Sequence, residues 1–183
     1  MSLTQPRTKA SIASPAAATV RRPGTAALVW GVTRIVVGFT FLWAFLDKLF
    51  GLGRSTPSER SWLNGGSPTK GFLSNSASGP FADVYRDIAG APLADWLFMV
   101  GLLGIGVALM LGIGMRIAAI SAAALYLMMW TVVLPPATNP IVDDHIIGAL
   151  VVIGLMLVGA GNVLGLGRQW RQTPIVQRLP WLA

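Results

Sequence analysis

Four long apolar segments make up most of this chain, and shorter polar stretches separate them. Each reaches the roughly 20 residues that an α-helix needs to cross a bilayer at about 1.5 Å per residue. The pattern predicts an all-α integral membrane protein, built as an antiparallel four-helix bundle. The predicted spans are residues 26–52, 92–114, 116–135 and 143–166.

The first apolar segment carries charges within it, and these share one helical face. Its residues Arg34, Gly38, Phe41, Phe45 and Lys48 are spaced three or four apart, which places them on one stripe of a helix. A charge at mid-bilayer costs at least about 2.5–3.5 kcal/mol, so such a stripe should not face lipid. We therefore expect this face to contact the other helices.

Residues 53–91 form the one long loop, and its composition predicts some helix. Ser67 followed by Pro68 is typical of a helix start, with an N-cap and a proline at the first position. Further along, Phe81, Val84, Tyr85 and Ile88 recur at amphipathic spacing. The sequence predicts a partly helical loop that lies along the membrane interface or caps the bundle.

The second and third segments are separated only by Gly114-Met115-Arg116, so they should form an antiparallel hairpin. Gly104, Ala108 and Gly112 recur every four residues, a pattern typical of close helix contacts in membranes. The alternative is that they reflect only the high glycine content of membrane helices.

Composition supports the membrane class. The 183 residues are 54% hydrophobic and 11% charged, whereas soluble domains carry about 25% charged residues. Because there are no cysteines, disulfides, thiol relays and cysteine-ligated metals are excluded within this chain. The net charge of +7 does not indicate nucleic-acid binding, since no basic run is interleaved with aromatic residues.

The distribution of charge predicts the topology. The predicted inner side carries eight basic residues and no acid, whereas all seven acids fall on the other side. The positive-inside bias then places both termini in the cytoplasm of a multi-pass plasma-membrane protein. The predicted organisation is a disordered cytoplasmic tail over 1–24, a four-helix domain over 25–167 with its outer loop at 53–91, and a basic cytoplasmic tail over 168–183.

Most titratable groups should collect at the outer end of the bundle. Asp47 and Lys48 close the first span, and Asp143, Asp144 and His145 open the fourth. A histidine beside two carboxylates can transfer protons near neutral pH, so His145, Asp144, Asp143 and Asp47 are the candidate catalytic residues.

Each of these groups also has a structural interpretation. Asp143 and Asp144 would suit a helix N-terminus through the helix dipole alone, and Asp47 with Lys48 could be an interfacial pair. No metal site is predicted, because adjacent aspartates on a helix point about 100° apart.

The sequence resembles the DoxX family, and within it the DoxD-like group. The resemblance lies in residues 33–35, Gly38, Phe41 and residues 46–49, together with the loop segment 62–72, and it covers about residues 26–167. One departure is Phe45, where many relatives have glycine three places before the lysine.

This resemblance implies a membrane subunit of a quinone-linked oxidoreductase. Relatives include the small membrane subunit of a thiosulfate:quinone oxidoreductase, which works with a DoxA-type subunit, and proteins of redox-stress complexes. A quinone is the implied cofactor, and the implied reductant is thiosulfate or another small molecule. The quinone-binding or substrate-binding residues would be Arg34, Lys48, Phe41 and Phe45. Expected partners are the lipid bilayer, a soluble or DoxA-like redox subunit, and a second copy of the chain.

Two other functions remain open from the sequence. The bundle could be a non-catalytic anchor that recruits soluble redox enzymes, or a small-molecule carrier that uses the charged stripe as a pathway. Bound quinone would favour the oxidoreductase, co-purifying enzymes the anchor, and solute flux in liposomes the carrier.

Overall fold

A computed structural model describes residues 23–137 and 139–183, and this part of the chain is helical with no strand. The four longest helices are α1 (Thr25–Phe50), α4 (Pro92–Leu111), α5 (Met115–Val132) and α6 (Asp144–Leu157). Two short helices lie in the outer loop, α2 (Lys70–Asn75) and α3 (Ala82–Asp87), and two follow α6, α7 (Gly167–Arg171) and α8 (Pro174–Arg178). The predicted disorder of residues 1–24 falls almost wholly outside the described residues.

Three of the helices, α1, α4 and α5, are long and apolar enough to cross a membrane. They expose large apolar side chains such as Val36, Leu97 and Ile120, which water would not tolerate in quantity but lipid would. The structure thus has the character of a membrane protein.

The fourth predicted span was too long. Helix α6 has only 14 residues and ends at Leu157, although the apolar sequence continues towards residue 166. Gly159 takes a positive φ of 65°, which an α-helix does not accommodate, and a 3₁₀ turn over Ala160–Asn162 follows. At about 1.5 Å per residue, α6 is roughly 21 Å long.

Helices α1 and α4 lie antiparallel at very close range. A Cβ on Gly38 would lie 2.8 Å from the backbone nitrogen of Met110, and one on Gly106 would lie 2.7 Å from that of Leu42. Both glycines are required because the backbones approach too closely for any side chain. The close contact uses Gly106 rather than the predicted Gly104, whose missing Cβ has no atom within 4 Å.

Helices α5 and α6 are also antiparallel neighbours. Gly148 lies against the ring of Tyr126, and Gly161 lies against Met115, with distances of 2.7 Å to the position of each missing Cβ. The predicted hairpin between α4 and α5 is present, and its turn uses Gly112 at φ 74°. Gly112 and Gly161 meet, which joins the turn to the segment after α6.

The buried core lies among these four helices. It is formed mainly by side chains of α4, α5 and α6, together with Phe41 of α1. Its fully or nearly fully buried members include Met99, Leu109, Ala122, Val152 and Leu155.

The segment after α6, predicted as a basic tail over 168–183, is folded. Trp170 donates its indole N–H to the carbonyl of Leu182 at 2.8 Å, and Val176 is buried. The backbone N–H of Leu166 donates to the carbonyl of Leu111 at the end of α4. Through these contacts the segment packs against the end of α4.

Candidate functional site

The outer loop folds over α4 and α5 and borders an apolar cavity of about 390 Å³ that is partly open at the surface. We refer to it as the outer cavity. Its walls come from α2, α3, the first half of α4 and the last turns of α5. The lining residues are Thr69, Phe72, Leu73, Tyr85, Ile88, Ala91, Leu93, Ala94, Leu97, Phe98, Met128, Met129 and Val132.

A buried carboxylate fixes the loop to α4 at one side of this cavity. Asp95, near the start of α4, accepts hydrogen bonds from the Ser67 hydroxyl at 2.9 Å and the Thr69 hydroxyl at 2.5 Å. The Thr69 backbone N–H donates to the same oxygen at 3.1 Å. Ser67 in turn accepts the backbone N–H of Lys70 at 3.1 Å. The helix begins only at Lys70, with Thr69 at the N-cap and no side-chain capping bond, so the predicted start at Ser67-Pro68 was wrong.

A second set of polar contacts fixes the loop to α5. Thr131 donates its hydroxyl to the carbonyl of Met128 at 2.7 Å, and its oxygen lies 2.5 Å from the hydroxyl of Tyr85. Ser78 adds hydrogen bonds with the carbonyls at the end of α5: its N–H donates to Val132 and its hydroxyl to Leu134. The hydroxyls at the cavity wall are thus committed to internal bonds, and the space between them is apolar.

The predicted catalytic group at the start of α6 forms a local cluster. Nδ1 of His145 lies 2.7 Å from Oδ2 of Asp143, and both side chains are largely buried. Oδ1 of Asp143 also accepts the backbone N–H groups of His145 and Ile146, so Asp143 is the N-cap of α6. Asp144 is exposed, and its carboxylate lies 3.6 Å from Nδ1.

These contacts set the charge of Asp143 and the tautomer of its partner. Burial raises the pKa of Asp143, but the hydrogen bonds from His145 and Ile146 outweigh burial and hold that pKa below its ordinary value. The carboxylate favours a proton on Nδ1, which leaves Nε2 of a neutral His145 as the free base.

The same three residues are the only group of potential metal ligands among the described residues, with ligand atoms within 4.8 Å of one another. Both carboxylate oxygens of Asp143, however, already have partners. Oδ1 accepts backbone N–H groups at the start of α6, and Oδ2 lies beside Nδ1 of His145. The absence of a metal site stays a prediction.

Arg34 is fully buried, and its side chain donates hydrogen bonds to backbone carbonyls instead of lining the outer cavity. Its Nε donates to the carbonyl of Ala160, and Nη1 donates to those of Leu109 and Met110. Its Nη2 donates to the carbonyls of Val163 and Leu164. A guanidinium has five N–H donors, and here five carbonyls occupy them, so a quinone or oxyanion would have to displace one.

Asp47 and Lys48 separate at the outer end of α1. Asp47 is buried and accepts the backbone N–H groups of Arg54 and Ser55 and the Ser55 hydroxyl, which folds the chain back after the helix. The ammonium of Lys48 lies 5.9 Å from the centroid of the Phe98 ring, on the α4 side.

Phe41 and Phe45 belong to the packed interior. Phe41 is buried and meets Tyr126 edge to face, with ring centroids 5.2 Å apart. Phe45 is half-buried against the same core. Tyr126 also lies 6.3 Å from the His145 ring, so the first and last long helices are connected through α5.

The eight residues predicted as site residues therefore do not form one site. The ends of α1 and α6 that carry Lys48 and His145 lie at the same end of the assembly, but the two residues contact different helices. None of the eight lines the outer cavity. Lys48 contacts one of its lining residues, Phe98. Of the four residues at the predicted amphipathic spacing, Tyr85 and Ile88 line the outer cavity, whereas Phe81 and Val84 are exposed and do not.

Comparisons with protein-family models, with curated proteins and with solved structures find no match to this chain. The site is therefore interpreted from its own geometry.

Proposed function

We propose that this chain is a multi-pass membrane protein whose outer cavity binds a lipid-soluble ring compound, and that it serves as the membrane subunit of a quinone-linked oxidoreductase. The observation that carries this proposal is the outer cavity, which is apolar and lies under a loop fixed at both sides. The sequence resemblance to the DoxX family and its DoxD-like group supports the same function.

The membrane arrangement that we propose has four helical segments in the bilayer and both termini in the cytoplasm. In it α1, α4 and α5 cross fully, and α6 with the 3₁₀ turn after it fills the fourth position. Burial of Asp47, Asp95 and Arg34 in internal hydrogen bonds is consistent with this arrangement, because lipid would not solvate them.

The cavity suits a quinone by shape and polarity. Its walls offer aromatic and branched apolar side chains, including Phe72, Phe98 and Ile88, against which a flat ring and an isoprenoid tail can pack. The chain supplies no cysteine and a single histidine, so electrons would come from a partner's cofactor or directly from a small reductant. A DoxA-like or other soluble subunit would be that partner.

Quinone binding tests the proposal through the volume of the cavity. Ala94→Phe places a ring inside the cavity, so purified protein should lose quinone retention by at least tenfold, measured by mass spectrometry of extracted lipids. Ala124→Phe is the matched control, because Ala124 is exposed on α5 and lies outside the cavity. Equal retention in both variants, with helical content unchanged, would contradict a quinone site in the outer cavity.

A non-catalytic anchor is the second candidate function. It is favoured because the polar groups of Arg34, Asp47 and Asp95 form hydrogen bonds with backbone or loop atoms of the chain itself. An anchor predicts that a soluble oxidoreductase co-purifies with the chain, and that both Ala94→Phe and His145→Ala leave this association unchanged.

A further inference from the structure

The end of the molecule opposite the outer loop carries arginines without carboxylate partners. All seven acidic residues of the chain lie in or beside the outer loop or at the start of α6. Among the described residues, neither Arg116 nor Arg171 has a carboxylate within 4.0 Å. Ala183 also lines the pocket that holds them, but its carboxylate lies beyond that distance from both guanidinium groups, so these cations remain available to an external anion.

Both arginines line one pocket of about 190 Å³, which we call the inner pocket. It lies between the start of α5, the turn after α6, and α7. Arg171 donates to the side-chain oxygen of Asn162 at 2.6 Å, and Arg116 makes a long contact of 3.4 Å with the carbonyl of Pro180. Each guanidinium has five N–H donors, and each makes only this one hydrogen bond with the described residues.

An apolar cleft of about 400 Å³ begins where the inner pocket ends. Gly114 and Trp170 line both spaces, and the cleft runs from them between α4 and α5. Small residues line this cleft. A Cβ atom added at Gly101 or at Gly104 would have no atom within 4 Å. The faces beside the cleft expose Val100 and Ile117, which are positions for lipid contact.

We propose that the inner pocket and this cleft together bind one anionic phospholipid. Arg116 and Arg171 would hold its phosphate through charge-assisted hydrogen bonds, and one acyl chain would lie in the cleft between α4 and α5. Charge decides between occupants, because a concave basic pocket at a membrane surface selects an anionic headgroup over a neutral one. The inference rests on the proposed membrane insertion of the helices and goes beyond the proposed ligand of the outer cavity.

The test uses the full chain purified in mild detergent. Phosphatidylglycerol, phosphatidylcholine of the same chain length and inorganic phosphate are titrated separately, with native mass spectrometry and the thermal unfolding midpoint as readouts. Only phosphatidylglycerol should be retained and raise the midpoint. The double variant Arg116→Gln/Arg171→Gln should bind it about thirtyfold more weakly, since each basic side chain at an anionic surface contributes roughly fivefold.

The matched control is Arg54→Gln/Arg60→Gln, which removes the same charge from exposed positions at the other end and should leave the affinity unchanged. A second pair tests the cleft. Gly104→Leu should abolish the preference for long-chain phosphatidylglycerol, whereas Gly154→Leu, at an equally open position on α6, should not. Circular dichroism confirms that both leucine variants keep their helices.

Several results would overturn the inference. A full effect from inorganic phosphate would reduce the site to a simple anion pocket, and equal binding of phosphatidylcholine would remove the role of charge. Equal loss in the control double variant would show an effect of net charge alone. Protein that stays soluble without detergent would contradict membrane insertion itself. Membrane-inserted protein without a lipid preference would contradict only the phospholipid site.

Discussion

Arg34 lies between two chain segments that both present backbone carbonyls to its guanidinium. Leu109 and Met110 belong to the last turn of α4, where carbonyls lack intrahelical partners and the helix dipole is negative. The other three acceptors, Ala160, Val163 and Leu164, follow α6. The fork of five donors thus neutralises a buried cation without any counter-ion.

Replacement of Arg34 by lysine should destabilise the protein while keeping its charge. An ammonium has three donors, so at least two carbonyls lose their partner, at roughly 1–3 kcal/mol each. We expect Arg34→Lys to lower the free energy of unfolding by about 2–5 kcal/mol in detergent, with the exposed Arg54→Lys nearly neutral. A stable Arg34→Lys that loses quinone retention would instead assign Arg34 to ligand binding.

Asp143 should make stability depend on pH in the acid range. Its pKa is held below the ordinary value in the folded state, so its contribution is present above the unfolded value of about 3.9 and is lost as the pH falls through the folded pKa. Asp143→Ala should cost about 1–2 kcal/mol at pH 7 through the lost cap, as measured by denaturation.

The difference between the two proteins should shrink as the pH falls below about 3.9 and through the lower folded pKa of Asp143, where the wild-type carboxylate becomes protonated. Asp144→Ala is the neighbouring control, because that side chain is 93% exposed, and its change should stay within about 0.5 kcal/mol. A constant difference between wild type and Asp143→Ala down to pH 2 would contradict the assigned role.

At the scale of helices, glycine contacts decide which faces meet. Gly38 and Gly106 permit α1 and α4 to approach at backbone distance, and this approach also brings Leu109 and Met110 within reach of Arg34. Gly104 lies only two residues from Gly106 but faces the open cleft between α4 and α5. Two glycines of one helix therefore have opposite consequences when substituted.

Gly106→Ala and Gly104→Ala should change stability in opposite directions. The added methyl at Gly106 meets the Leu42 backbone at 2.7 Å, and forcing the helices apart should cost about 1–3 kcal/mol. At Gly104 the methyl meets nothing, and the gain in helix propensity should stabilise by up to about 1 kcal/mol. Thermal unfolding of both variants in the same detergent measures the difference, and similar midpoints would contradict the α1–α4 contact.

The positions of the long helices could be predicted from the sequence, because apolar runs extend over them. The sequence was not sufficient for the end of α6, since residues 158–166 stay apolar while Gly159 turns the backbone. Nor could it find the outer cavity, whose wall depends on contacts between distant residues such as Tyr85 with Thr131 and Thr69 with Asp95. Arg34 and Asp47 were predicted as site residues because they are charged, yet both form hydrogen bonds with the protein's own chain.

For the whole molecule, charge is separated along the direction of the long helices. Acids and the outer cavity lie at one end, and the folded basic segment from 167 onward lies at the other, next to Arg116. This polarity is the strongest physical argument for the proposed orientation, because basic flanks are retained on the cytoplasmic side.

Cysteine labelling can test this orientation without background, because the chain contains no cysteine. Glu59→Cys lies exposed in the outer loop, and Gln169→Cys lies exposed on α7. A membrane-impermeant maleimide should label Glu59→Cys in intact cells and Gln169→Cys only after permeabilisation. Labelling of both in intact cells, or the reverse order, would contradict the proposed topology.

The clamp around Arg34 also has a consequence for biogenesis. Its acceptors lie 75 to 130 residues further along the chain, so they leave the ribosome roughly 4 to 26 s after Arg34 at about 5–20 residues per second. During that interval Arg34 lacks the carbonyls that surround its guanidinium in the folded protein. In the membrane arrangement proposed above, the first helix to be synthesised is therefore the last whose buried charge gains its full set of hydrogen-bond acceptors.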